Sequence, residues 1–169
     1  MTDPNVVDLL DELIRSGDRA ALSHLRHAAD PDHPDYPVAL RWLAPYAKTQ
    51  WQEHHARVTA ELFALWHRGN DPTTTSGSFA VSLRRLAAVT GSDAVERRFV
   101  RILRSHEEDL PTHLRSLVGQ LRSHGIGIDW RRLHRDLSQW GRPGRHVQLS
   151  WARDFYTRDE TTDNEEVPA

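Results

Sequence analysis

Arginine supplies 21 of the 22 basic side chains in this sequence, Lys48 being the remaining one. Its planar fork of donors matches phosphate oxygens in pairs and also stacks on nucleobases, so the first chemistry to consider is polyanion recognition. The densest group lies in ERRFVRILR, Glu96 to Arg104. At about 100° per residue, a helix here puts Val95, Phe99, Ile102 and Leu103 on one side and Arg97, Arg101 and Arg104 on the other, with Arg98 at the edge. Like charges at this spacing repel by a few tenths of a kcal/mol per pair unless an anion relieves them. A helix built for stability alone would interleave glutamates.

The remaining arginines extend the pattern. Arg115 and Arg122 are seven residues apart and flank a leucine stripe; Arg131 and Arg135 are four apart and opposite Leu133 and Leu137. Arg132 has a carboxylate four residues on, Asp136, and is expected to pair with it. Arg84 and Arg85 are adjacent, so at most one lies on a given ridge. Arg142 and Arg145 flank a Pro-Gly turn whose backbone N–H groups could share a phosphate. Together these side chains are expected to line a groove.

Catalysis finds little support. There is no cysteine, which removes disulfides, thiolate zinc sites and thiol nucleophiles. The 11 histidines include His24 and His27 at i, i+3 and the adjacent His54 and His55. No H-E-x-x-H or paired-carboxylate metal motif accompanies them, nor is there a phosphate loop or a nucleophile elbow. No catalytic residue, cofactor or metal is therefore expected.

The net charge of −2 conceals a division along the chain. Residues 1–78 carry −4, residues 79–153 carry +7 and residues 154–169 carry −5. A basic stretch between acidic ends sets a local potential that the total hides. No apolar run approaches a membrane span and the N-terminus has no signal-type core, so a cytoplasmic protein is expected.

Helical periodicity positions these side chains, and strand signals are almost absent. Val6, Leu10, Leu13 and Ile14 form the stripe of a first helix, stopped by Ser16-Gly17; a second runs from about Asp18 to Ala28. Prolines 31, 34 and 37 mark a connector, followed by a short helix with Leu40 and Leu43. Thr49-x-x-Gln52 is a capping box opening a long helix through about His67, with Trp51, Val58, Leu62, Leu65 and Trp66 on one face. Arg68 to Ser78 has linker composition. Helices then follow from Phe79 to Val89, from a start signal at Asp93-x-x-Glu96, from one at Ser105-x-x-Glu108 to about His124, from Asp129 to Trp140, and through Val147, Leu149, Trp151 and Phe155. The six tryptophans mostly sit on apolar stripes and are assigned mainly to the core. The expected fold is all-α: about nine short helices in two small bundles, residues 1–78 and 79–156, with neighbours mostly antiparallel, then an acidic disordered tail over 157–169.

From residue 18 to about 156 the chain resembles CasB, the small-subunit family of the type I-E CRISPR surveillance complex called Cascade. The resemblance is carried by DRAALSHLRHA, SLRRLAAV from Ser82, ERRFVRIL from Glu96, LPTHLRSLVGQLRSHGIGIDWRRL from Leu110 and WARDFY from Trp151, in that order. It implies an all-helical, non-catalytic subunit that joins other Cascade subunits and guide RNA. It also implies a second copy placed head-to-tail and a basic surface supporting the displaced single-stranded DNA. Phosphate contact is carried over to Arg26, Arg97, Arg98, Arg101, Arg104, Arg115 and Arg142; Arg84, Arg122 and Arg145 join on geometry. The chain departs from the family at His27, where relatives often carry a second basic residue, so this position is charged only when the imidazole is protonated. The competing expectation is a helical protein-protein adaptor that makes no contact with nucleic acid.

Overall fold

The computed structural model describes residues 4–68 and 75–157. The acidic tail from residue 158 and most of the 68–78 linker lie outside the described residues. The fold is all-α, with no strand among the described residues. Its helices are α1 (Val6–Arg15), α2 (Arg19–Leu25), the single turns α3 (Asp35–Val38) and α4 (Leu40–Leu43), α5 (Gln50–Trp66), α6 (Phe79–Thr90), α7 (Ser92–Leu103), α8 (Leu110–Ser123), α9 (Trp130–Ser138) and α10 (His146–Tyr156).

Several starts fall where local chemistry puts them. Asn5, Asp18, Thr49 and Asp129 each accept a backbone N–H from the first turn of α1, α2, α5 and α9, respectively, satisfying donors that have no intrahelical partner. Two expected starts differ. Helix α7 begins at Ser92 behind Gly91, whose φ of 94° breaks the chain from α6 and leaves Asp93 inside the first turn. The Ser105 hydroxyl instead donates back to the Arg101 carbonyl, and a 3-10 turn at Glu107–Asp109 leads into α8 with Pro111 in its first turn.

Helix α5 is the axis of the molecule. Every residue from His55 to Ala64 is buried, so this helix is enclosed on all sides rather than amphipathic. It packs on α1 and α2 as well as on α8 and α9, and the buried side chains on either side of residue 78 form one cluster. Enclosing its polar residues requires partners for each of them. Arg57 donates to the carbonyls of Ala28 and Tyr36, at 2.9 and 2.6 Å, and lies over the Tyr36 ring, pinning the proline-rich connector. The His55 Nδ1 donates to the Trp51 carbonyl at 2.7 Å while its Nε2 meets Glu107 at 2.6 Å. Glu61 accepts the Ala29 N–H at 2.7 Å and pairs with Arg115. Trp51, placed on the apolar face by its spacing, is instead 51% exposed.

Three ties fix how α5 and α8 run. His55 meets Glu107 just before α8, Glu61 meets Arg115 within it, and the Trp66 indole donates to the Ile126 carbonyl just past its end. Both chains advance together, so α5 and α8 lie side by side and parallel. Helices α6 and α7 make the return, α6 packing on α7, α8 and α10.

The Thr59 hydroxyl lies 2.8 Å from His134 Nδ1 on α9. Burial first, and the neighbouring His55 second, push the His134 pKa down to about 4 from an ordinary 6.5. The unfolded chain therefore takes up a proton as pH falls below about 6.5 while the folded chain keeps the ring neutral until about 4, so stability is lost across that window. Between pH of about 7.5 and about 5 this group is expected to remove about 2 kcal/mol from the unfolding free energy. Urea titrations of the wild type and His134→Asn at both pH values check this. The variant should lose that much less on acidification, and equal losses would refute the assignment.

Candidate nucleic-acid interface

The exposed charge of the second half is concentrated on α7. Val95, Phe99 and Ile102 are buried, with Phe99 stacked on Phe155 of α10 at 4.3 Å between ring centroids, and this fixes which face of α7 points outward. That outer face carries Arg97, Arg98 and Arg101, with Arg104 as the C-cap, and all four are exposed. None of them makes an ion pair with another described residue. Of the two acids on the same helix, Asp93 lies in its first turn and Glu96 accepts the Tyr156 hydroxyl at 2.8 Å.

The turn before α10 meets the C-terminal end of this ridge. Gly144 and Arg145 both have positive φ, 88° and 51°, and Arg145 is the one non-glycine residue in this region among those described. A left-handed residue with a side chain costs about 1–2 kcal/mol. The Arg145 guanidinium donates to the Leu103 carbonyl, which holds the turn against the last turn of α7. Arg142 in the same turn is exposed, and the adjacent Gly141 lies against Glu107. The geometry thus brings Arg145 to the end of the ridge formed by Arg97, Arg98, Arg101 and Arg104, with Arg142 exposed in the same turn.

The other sequence-selected arginines go elsewhere. Arg84 donates to the carbonyls of Asp154 and Thr157, at 2.7 and 2.9 Å, and fastens the end of α10 to α6. Arg115 is held by the buried Glu61, which offsets its charge. Arg132 pairs with Asp136 as its spacing requires. Arg131, read as a surface cation, is clasped by Asp8 across to α1, and this pairing is also what holds the Asp8 carboxyl below its usual range.

Arg26 and Arg122 form a second group with Arg68, which sequence spacing assigned to the linker. Arg26 is the C-cap of α2, and its Nε is buried without a hydrogen-bond partner. Burial first, then the charges of Arg68 and Arg122, hold its pKa below the ordinary arginine value. One signal for Arg68 is its distance from Glu61: the two are seven apart, Arg68 lying just beyond the end of α5, as Arg115 and Arg122 are seven apart within α8.

Among the described residues no cluster of three or more His, Asp or Glu could hold a metal, and no helix is long and apolar enough to cross a membrane. Four tryptophans, Trp66, Trp130, Trp140 and Trp151, are buried. The departure at His27 is stacked on His33 at 3.7 Å between centroids.

Comparison with known proteins converges on one family. Residues 18–156 match the family described as CRISPR-associated protein Cse2. The CRISPR-associated protein Cse2 of Thermus thermophilus is 32% identical over 122 residues, covering 72% of this chain and 69% of that protein. The crystal structure of CasB from Thermus thermophilus is 28% identical, covers 92% of this chain and 99% of its own, and superimposes with a TM-score of 0.72. A chain in a structure described as a CRISPR RNA-guided surveillance complex is 30% identical, with a TM-score of 0.76 over 89% of this chain and 88% of that one.

Proposed function

Because this chain belongs to the CRISPR-associated Cse2 family, also called CasB, we propose that it is a non-catalytic subunit of a CRISPR surveillance complex. In that complex it joins other Cascade subunits and guide RNA and supports the displaced single strand of target DNA through the α7 ridge. The observation that carries this reading is the exposed row of Arg97, Arg98, Arg101 and Arg104, which makes no ion pair among the described residues and ends at the turn of Arg142 and Arg145. Opening a duplex against a guide RNA is a nearly balanced exchange of base pairs, so modest contacts to the released backbone tip it. A helix face of guanidinium groups suits that task, because it follows phosphates without reading sequence. A second copy placed head-to-tail would lengthen the track. A cytoplasmic address follows from the same reading.

Binding of a fluorescent single-stranded oligonucleotide across a salt series is the direct test. Contacts to about four phosphates give a log-log slope near −3, because each releases about 0.7 of a counterion from a single strand. The affinity should also vary little between unrelated sequences. A flat salt dependence, or no binding at about 50 mM salt, would defeat the proposal in favour of a protein-only adaptor.

A further inference from the structure

We propose that Arg26, Arg68 and Arg122 form a discrete seat for one phosphoryl group, where the C-terminal ends of α2, α5 and α8 converge. The seat is separate from the α7 ridge. It rests on the function proposed above only for the source of the phosphoryl group.

The parallel register of α5 and α8 builds the seat. The Glu61–Arg115 pair fixes a rung between the two helices, and the Trp66 indole on the Ile126 carbonyl keeps them together past their ends. Seven residues beyond the rung, about two helical turns, each helix presents an arginine at its end: Arg68 after α5 and Arg122 in the last turn of α8. Helix α2 packs against α5 and closes with Arg26, and Glu61 secures the segment that follows by accepting the Ala29 N–H. Three guanidinium groups from three elements therefore meet in one place.

The rung shows what the fold does when it neutralises an arginine. Arg115 receives a buried carboxylate, whereas Arg26, Arg68 and Arg122 make no ion pair with any described residue. The Nε of Arg26 is shut off from water with no acceptor, in the field of the other two cations, and no carboxylate is among the charges acting on it. The negative ends of the helices account for a cation at each terminus. They do not account for three converging with a donor left unmatched. A tetrahedral phosphoryl group fits this arrangement: its non-bridging oxygens, two in a backbone diester and four in the free ion, each accept more than one N–H and so can bridge guanidinium forks that approach from different directions.

The phosphoryl group comes either from a polynucleotide backbone or from free phosphate, and two measurements separate them. In the first, melting temperatures are compared with and without about 10 mM inorganic phosphate at constant ionic strength, for the wild type, Arg68→Gln, Arg122→Gln and the ridge variant Arg97→Glu/Arg101→Glu. A ligand at about ten times its Kd raises the melting temperature of a chain of this size by about 4 °C. That rise is expected in the wild type and the ridge variant and absent from both glutamine variants. An equal rise in all four, or none in the wild type, overturns the seat; the equal rise is the signature of general salt exclusion from the surface.

In the second, inorganic phosphate is added to the oligonucleotide titration at constant ionic strength. Competition in the wild type that disappears in Arg68→Gln assigns the seat to a backbone phosphate. Undiminished oligonucleotide affinity assigns it to the free ion. If the ridge variant binds oligonucleotide as well as the wild type, the function proposed above fails while the seat stands.

Discussion

Reversing two charges on the outer face of α7, in Arg97→Glu/Arg101→Glu, is expected to weaken single-stranded oligonucleotide binding by about a hundredfold near 0.1 M salt. Removing one arginine from a phosphate weakens binding by a factor of about five at that salt, and placing carboxylates against the backbone adds repulsion of similar size. The log-log salt slope should flatten by about 1.4, the share of two phosphates. Stability should hardly change, because both side chains are exposed and make no ion pair among the described residues. Fluorescence anisotropy across a salt series measures affinity and slope together, and Arg97→Lys/Arg101→Lys serves as the charge-conserving control, expected to keep most of the slope. If the reversed variant binds with unaltered affinity and slope, the ridge is not the interface and the helical adaptor becomes the better reading.

The second large effect is expected at Glu61. The residue is 3% exposed, and its carboxylate accepts the Ala29 N–H and pairs with Arg115, so it joins α5 to α8 and to the segment after α2. Truncating it in Glu61→Ala leaves a backbone donor and a half-buried guanidinium unmatched and is expected to cost about 3–5 kcal/mol. Glu61→Gln keeps an acceptor for Ala29 but loses the charge, so it should cost less. Urea unfolding of these variants and of Glu61→Ala/Arg115→Ala completes a cycle in which a coupling energy below about 0.5 kcal/mol would show that the pair carries no weight. The cycle also decides what Arg115 does. Strong coupling makes it a residue that positions α8, whose effect on oligonucleotide binding would come through packing rather than through a phosphate.

How far the sequence reaches can be seen at individual residues. Thr49 and Asp129 open α5 and α9 as their local patterns require, because a cap is an interaction within one turn of chain. The α7 ridge is equally local: Val95, Phe99 and Ile102 fix the buried side, and Arg97 and Arg101 follow on the other. Asp93 and Ser105 fit the same cap pattern yet do not cap, since the Gly91 break and the 3-10 turn at Glu107–Asp109 reset the starting points. Arg84, Arg115, Arg131 and Arg145 could not be resolved from spacing, because their partners Asp154, Glu61, Asp8 and Leu103 lie 42 to 123 positions away. Periodicity reports which face of a helix is wet, not which distant acid will reach it. Helix α5 hides its role for a related reason. A helix enclosed on every side needs polar residues to tie down its neighbours, and in sequence those residues resemble a solvent face.

The shared direction of α5 and α8 also bears on how the chain reaches its native state. Antiparallel neighbours can zip from a short hairpin, but this pair cannot meet until the more than forty residues between them have been gathered into a loop, whose closure entropy must be met before any of the three ties forms. The rate-limiting ensemble should therefore hold α6 and α7 already collapsed while α5 searches for α8, and this all-helical chain should fold more slowly than its secondary structure alone implies.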